Sequence, residues 1–474
     1  MCRSLAATLP IVLVLFACSG APEQKEPEAA APPTPEEARA IAKEAYTYAF
    51  PMMMGYRSAF GTFLWPSLPS YLGPPNTMLG EPRTLDHTYK DVISPNADTP
   101  YSPALLDLRA GPLVLQVPEV KDRYYGIQFV DLYGHNPHYV GTRATGSQAG
   151  TYLLAGPNWN GKGAEGFDEV LRFETDLVLV IGRTQLFGQD DLAALAEVMK
   201  AYTLSPLAEY RGGKAPVTEP VDWMVWNDEA SRDERFSGYL NFLLQFCQPP
   251  HPSEVDMLER FVRIGIGPGV PFLVDGLETD LREALRSGVE EAREQMMADS
   301  KDLGKLVNGW MMTDAFGDRD FYQGDHDLRA AAAMMGWGGN DKIEAFYPIA
   351  QVDSAGNPLN GAHTYRLTLT GKPPVKAFWS VTMYDTSYDG AAGYLVENPI
   401  GRYLINSTTE GLVRGKDGSL DIYIQHDEPK DPSQRANWLP APEGDFYLAF
   451  RLYHPEPAAL DGSWLPPPVV RTDG

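Results

Sequence analysis

The eight residues YYGIQFVD at 124–131 decide how the rest of the chain is read. They align without a gap on FWSVTMYD at 378–385. The aromatic pair, the apolar positions and the closing Asp131 and Asp385 coincide, and a turn-rich segment follows each. Two related β modules would produce such an echo. A chance match between two strands is the alternative that eight positions leave open.

Further short runs rich in β-branched and aromatic residues surround the first copy: LVLQV at 113–117, TYLLA at 151–155 and LVLVIG at 177–182. Gly-Pro, Asn-Pro and Gly-rich breaks separate them, which is the pattern of an antiparallel sandwich or barrel. The second copy has its own set, YRLTL at 365–369, AFWSVTMY at 377–384, LDIYIQ at 420–425 and FYLAFRLY at 446–453. Between the sets the periodicity is helical: a stripe from Leu192 to Met199 that Asp190 can cap, one from Val255 to Phe261 that Ser253 can cap, one from Leu277 to Val289, and one from Leu328 to Met335 ending at Gly336. At the front, Thr34 and Glu37 form a capping-box pattern, Ile41, Ala45 and Tyr48 share a face, and Pro51 is expected to end the helix. The expected fold class is α+β: two antiparallel β-sandwich-like modules, a helical segment between them and a short N-terminal helix. The expected division is helix and first module over 36–188, a mostly helical segment over 189–345, and second module with a strapped C-terminal tail over 346–474.

With 474 residues, 43% hydrophobic and 22% charged, the chain is globular and long enough for more than one domain. A formal charge of −24 argues against nucleic acid or anionic headgroups as partners. Arg3 and the apolar run LPIVLVLF at 9–16 read as a secretory signal, and Leu15-Phe16-Ala17-Cys18 resembles a lipobox. The expectation is a signal over 1–17, lipidation at Cys18, and a Pro-, Ala- and Glu-rich tether over 18–35. Ser19 after the cysteine favours the outer membrane, facing periplasm or cell surface. Contact with the membrane is expected through the anchor alone; an ordinary cleaved signal is the alternative. Cys2 would be lost with the signal, leaving Cys247 as the lone thiol, so no internal disulfide or Cys-based zinc site is expected.

The run SPNADTPYS at 94–102, with Arg123-Tyr124-Tyr125 and YVGTR at 139–143, resembles the family named domain of unknown function 1254. Trp379 to Tyr384, Asn398-Pro399 with Arg402-Tyr403, WLPAP at 438–442 and the strand at 446–453 resemble its usual companion, domain of unknown function 1214. The resemblance spans roughly residues 40 to 455 and implies two β-rich modules with a helical insert. It implies no reaction, cofactor or catalytic residue.

Within 94–102, Asn96, Asp98 and Thr99 suit a turn that launches a strand. Read functionally, Asp98 is a general acid or base with Asn96 and Tyr101 as binding partners. The segment Asp131 to His138 adds a carboxylate, Tyr133, His135 and His138. A metal on Asp131, His135 and His138 could take a two-histidine, one-carboxylate form, but HxxH in a Gly/Pro turn does not assure facing geometry, so no metal and no cofactor is the favoured reading. Arg143 could clamp a carboxylate or sugar hydroxyl. The acidic run from Asp314 to Asp327 lacks EF-hand spacing, and helix capping by Asp325 or Asp327 explains part of it. Trp438 is expected as a packed corner.

No Gly-x-Ser-x-Gly elbow, P-loop, His-Glu-x-x-His or dinucleotide fingerprint occurs. The expectation is a cell-envelope protein that binds or processes a polar small molecule or saccharide near the first β module. Asp98, Asp131 and His138 would be catalytic, and Asn96, Tyr101, Tyr133, His135 and Arg143 would bind. A structural or interaction protein without catalysis is the alternative, and self-association is left open.

Overall fold

The computed structural model describes residues 32–90, 94–272, 274–386 and 393–473; Cys18 and the signal lie outside them. The first element, α1 (Pro35–Ala59), starts on the expected capping box, with Glu37 N bonded to Thr34 Oγ1 at 3.2 Å and Thr34 N to Glu37 Oε2 at 3.0 Å. It does not stop at Pro51, and at 25 residues it is not short. A proline costs the helix one hydrogen bond. Here Pro51 lies inside a face that buries Tyr46, Tyr48, Met52, Met53 and Tyr56, and that burial outweighs the lost bond.

Eight strands form the first module: β1 (Tyr101–Asp107), β2 (Leu113–Val117), β3 (Tyr125–Asp131), β4 (His138–Gly141), β5 (Gly150–Ala155), β6 (Glu169–Arg172), β7 (Leu177–Thr184) and β8 (Thr203–Pro206). They make two sheets ordered β1-β7-β3-β4 and β6-β5-β2-β8. Their facing sides share a core of Leu106, Leu115, Ile127, Phe129, Leu154 and Val180. Gly141 pairs with Gly126 at the end of β4 with φ near +150°, and a Cβ there would meet the Tyr125 carbonyl at 2.4 Å.

Between β7 and β8 lies α2 (Leu192–Lys200), and after β8 come α3 (Leu207–Tyr210), α4 (Phe236–Leu243), α5 (Val255–Val262) and α6 (Thr279–Asp299). The hairpin β9 (Gly304–Val307) and β10 (Trp310–Thr313) precedes α7 (Arg319–Tyr322) and α8 (His326–Gly336). The long helices gather on α1 around Phe236, Leu240, Phe261, Leu285 and Val289. Among the described residues no helix is long and apolar enough to cross a membrane. Residues 189–345 hold strands as well as helices. β8 completes a sheet of the first module, while β9 and β10 extend one of the second. These short edge strands mix polar and apolar residues, so their pairing depends on neighbours remote in sequence. Two expected caps also differ: α2 follows Asp191, not Asp190, and His251 rather than Ser253 accepts the backbone N–H before α5.

The second module holds β11 (Ala345–Phe346), β12 (Ile349–Ala350), β13 (Tyr365–Leu369), β14 (Trp379–Asp385), β15 (Leu404–Asn406), β16 (Leu420–Gln425), α9 (Pro432–Ala436), β17 (Trp438–Pro440), β18 (Phe446–Tyr453), α10 (Pro457–Leu460) and β19 (Val469–Arg471). Its first sheet runs β15-β14-β18-β12-β10-β9, and its second runs β17-β16-β13-β19. The tail expected as a strap is bound in: Trp310 Nε1 donates to the Pro467 carbonyl at 2.7 Å, and β19 pairs with β13. Trp438 is a buried corner whose Nε1 donates to the Gln425 carbonyl at 2.9 Å.

The two modules repeat one topology. β1-β7-β3-β4 corresponds to β12-β18-β14-β15, and β6-β5-β2-β8 to β17-β16-β13-β19, parallel pairs included. The gapless echo between β3 and β14 holds at the level of pairing. Gly126 faces Arg183 on one side and Gly141 on the other, while its counterpart Ser380 faces Arg451 and Asn406. β11 and β12 continue one register along β18, which sets Tyr347 against Arg451 as Tyr101 is set against Arg183. Asp98 and Glu344 then correspond as well: their carbonyls accept from Leu186 N at 3.3 Å and His454 N at 2.8 Å.

Candidate functional site

Alternation along a strand divides each first sheet into two faces. β3 and β7 turn Tyr125, Ile127, Phe129 and Val180 into the first core, which leaves Gly126, Gln128 and Arg183 on the other face. β14 and β18 turn Trp379, Val381, Phe450 and Leu452 inward, which leaves Ser380, Thr382, Tyr384, Arg451 and Tyr453 outside their core. These outer faces are nonetheless buried, because each is covered by the segment that leads into the other module.

Residues 94–100 lie on the second module. Tyr384 Oη donates to the Pro95 carbonyl at 2.6 Å, Arg451 Nη2 to the Ser94 carbonyl at 3.1 Å, and Ser380 Oγ to Asp98 Oδ2 at 2.5 Å. Asn96 shapes the loop: its Oδ1 accepts from Asp98 N at 2.6 Å, and its Nδ2 donates to Thr99 Oγ1 and to Tyr453 Oη. The turn reading of Asn96 therefore holds alongside any binding role.

Residues 338–344 lie on the first module in the same manner. Arg183 Nη1 donates to Gln128 Oε1 at 2.6 Å and Asn340 Oδ1 at 3.1 Å, and its Nη2 to the Gly338 carbonyl at 3.3 Å. Tyr124 Oη donates to Glu344 Oε1 at 2.7 Å, and Arg143 forms an ion pair with Glu344. Asn136 and Tyr139 both donate to Asp341, whose carboxyl burial pushes up to about 6. The module interface is thus a nearly closed hydrogen-bonded layer.

Two features break that closure. Arg183 is 8% exposed and Arg451 6%, yet among the described residues neither belongs to an ion pair. Their hydrogen-bond acceptors are carbonyl, amide and hydroxyl oxygens. Each guanidinium lies against tyrosine rings, Arg183 at 5.7 Å from Tyr101, and Arg451 at 5.4 Å from the buried Tyr384 and 6.0 Å from Tyr347; Tyr101 and Tyr347 are half-buried residues. Asn340 Nδ2 joins the halves by donating to Tyr347 Oη at 2.5 Å. Second, Asp98 Oδ1 and Ser102 Oγ are buried without a hydrogen bond of good geometry. Burial raises the Asp98 carboxyl above its ordinary value, with Arg451 nearby opposing the rise.

The sequence-predicted residues fall into three places. Asn96, Asp98, Tyr101 and Arg143 belong to the inter-module layer. Asp131, Tyr133 and His135 stand between the first module and the helices, where Asp131 Oδ1 accepts from His135 N at 2.9 Å and Arg319 lies 5.0 Å over the Tyr133 ring. In that cluster Tyr48 and Arg319 bind Glu254, and burial lowers His326 to about 4. His138 is at the sheet edge, its Nε2 2.8 Å from the Arg172 carbonyl oxygen. Asp98, Asp131 and His138 each have separate partners and do not form one constellation. No three His, Cys, Asp or Glu side chains among the described residues gather as metal ligands would. In the acidic run, Asp318 and Asp325 cap α7 and α8. A cleft of about 580 Å³ opens in the helical layer beside Met224, Glu234, Phe272 and Arg286, and no sequence-predicted residue lines it.

Sequence reasoning missed Arg183, Arg451, Glu344 and Tyr347. A signal was present: a single arginine interrupts LVLVIGRT and another FYLAFRLY, each strand following an echoed one in the chain. A charge inside an apolar strand needs either a partner or a purpose.

Residues 75–206 match a family described as Protein of unknown function (DUF1254), and residues 344–457 one described as Protein of unknown function (DUF1214). No curated protein matches the chain. The crystal structure of the VPA0106 protein from Vibrio parahaemolyticus covers 92% of this chain and 100% of its own, with a TM-score of 0.72 at 23% identity, so the fold is shared. An uncharacterized protein from Burkholderia cenocepacia aligns over 92% of this chain and 94% of its own at a TM-score of 0.42 and 11% identity.

Proposed function

We propose that this chain, which carries a DUF1254 domain followed by a DUF1214 domain, binds a polar small molecule or saccharide in the crevice between its β modules. The observation that carries this reading is the pair Tyr101 and Tyr347. Topologically equivalent, they keep accessible surface beside two arginines that are otherwise buried. Aromatic rings beside fixed donors suit a ligand with an apolar face and a polar rim. If turnover occurs, Asp98 is the proposed acid: Ser380 holds one oxygen, Asn406 and Tyr453 lie beside the carboxyl, and burial favours the protonated form. Asp131 and His138 have no part in that version, since their contacts lie elsewhere. The closed bonding of Asn96 favours the alternative, a structural envelope protein, for that residue. We also propose export and lipid tethering at Cys18, supported by the signal and lipobox pattern.

The test is a thermal-shift panel of saccharides and polar metabolites on the full chain and on Tyr101→Ala/Tyr347→Ala, with folding checked by circular dichroism. Compounds that raise the melting temperature of the parent should lose that effect in the folded double variant. Responses that survive the double substitution, or a panel without any response, would overturn the crevice as the site.

A further inference from the structure

We infer that the inter-module crevice takes a carboxylate-bearing small molecule, held by the guanidiniums of Arg183 and Arg451. This deepens the binding reading above and rests on it. The chain has 63 acidic residues against 39 basic ones, so counter-charges are plentiful. Arginines elsewhere use them: Arg109 pairs with Asp107, Arg123 with Asp191, Arg143 with Glu344, and Arg319 with Glu174 and Glu254. The two arginines of the crevice, more than nine-tenths buried, have only neutral acceptors among the described residues. Asp98 is close enough to influence Arg451, yet it spends one oxygen on Ser380 and makes no ion pair among the described residues.

Buried guanidinium without a counter-charge is unfavourable, and a planar carboxylate is the group its fork fits. Arg329 shows what a purely structural buried arginine looks like here. It too has no ion pair among the described residues, but its neighbours Tyr48 and Tyr133 are closed to solvent, and its donors clamp their two carbonyls. Arg183 and Arg451 differ in that each also lies against a half-buried tyrosine, Tyr101 and Tyr347, although Arg451 is nearer still to the buried Tyr384. The same arrangement occurs once in each module, so the crevice offers two cationic points on either side of Tyr347 and Asn340.

Isothermal titration of the full chain with matched pairs tests this: galacturonate against galactose, glucuronate against glucose, lactate against propane-1,2-diol, and succinate against succinamide. Carboxylate members should bind at least about tenfold more tightly than their neutral partners, the scale of a charge-assisted hydrogen bond. Arg183→Met and Arg451→Met should weaken the carboxylates about tenfold to a hundredfold and the neutral partners by a clearly smaller factor. Should either variant unfold, the matching Arg→Lys, which keeps charge without the fork, should show part of the same loss. Equal binding of both members of each pair overturns the carboxylate inference while leaving the crevice in place. Binding of carboxylates that survives Tyr101→Ala/Tyr347→Ala places the anion elsewhere and overturns it too. No heat from any compound overturns the inference, and the broader panel then decides the crevice itself.

Discussion

Asp341 shows how one side chain ties the module interface to pH. Burial raises its carboxyl from 3.8 to about 6, against the hydrogen bonds from Asn136 and Tyr139 and the charge of Arg143. Between those values the folded chain holds a proton that the unfolded chain has lost, so its contribution is full below 3.8 and lost as pH rises through 6. His326 acts in the opposite sense: lowered from 6.5 to about 4, it subtracts stability as pH falls through that interval. Because the two overlap, substitution separates them better than the parent profile does. Asp341→Asn keeps an oxygen for Asn136 and Tyr139. It should stabilise the chain at pH 7.5 by up to roughly 3 kcal/mol and by little at pH 4. Urea midpoints of parent and variant at both pH values check this, and an equal gap at the two would sink it. At this scale Asn96 was readable, because an Asx turn is local chemistry. The partners of Asp98 were not, since Ser380 lies 282 positions away.

Among the elements, the contact between α1 and α6 is set by Gly288. A Cβ there would meet the Arg39 carbonyl oxygen at 2.4 Å and the Ala42 Cβ at 2.9 Å, so the two helices approach backbone to backbone. Gly288→Val should therefore destabilise by roughly 1–3 kcal/mol despite valine's better helix propensity than glycine. Gly336→Ala, where nothing lies within 4 Å, should be neutral or slightly stabilising. Paired melting curves test the contrast, and similar shifts in both variants would refute the close-contact account. Strands were the most legible elements: 113–117, 365–369, 420–425 and 446–453 match their observed bounds. Their composition is dominated by β-branched, aromatic and leucine side chains that bury at least one face, a local property of the residues themselves. The misreading at Pro51 has the opposite origin, because a helix tolerates a proline only when tertiary packing compensates.

For the whole molecule, the address and the architecture call for different tests. If Cys18 carries the anchor, Cys18→Ser should move the protein from the membrane fraction to the soluble fraction, with loss of the acyl mass on the N-terminal peptide. An unchanged distribution would remove the tether from the proposal. The duplication was visible in one pair of strands because inward positions demand apolar side chains wherever the same fold recurs. Composition, strand identity, helix stripes and the two-module plan were likewise written in short-range pattern, since each expresses how a segment meets water or a core. Which polar groups share a site was decided only when the chain closed. Each module's leading segment crosses to cover the other's arginine, and that exchange depends on register and on contacts hundreds of residues apart. Periodicity can tell that a strand has two faces, but not what the second face will meet.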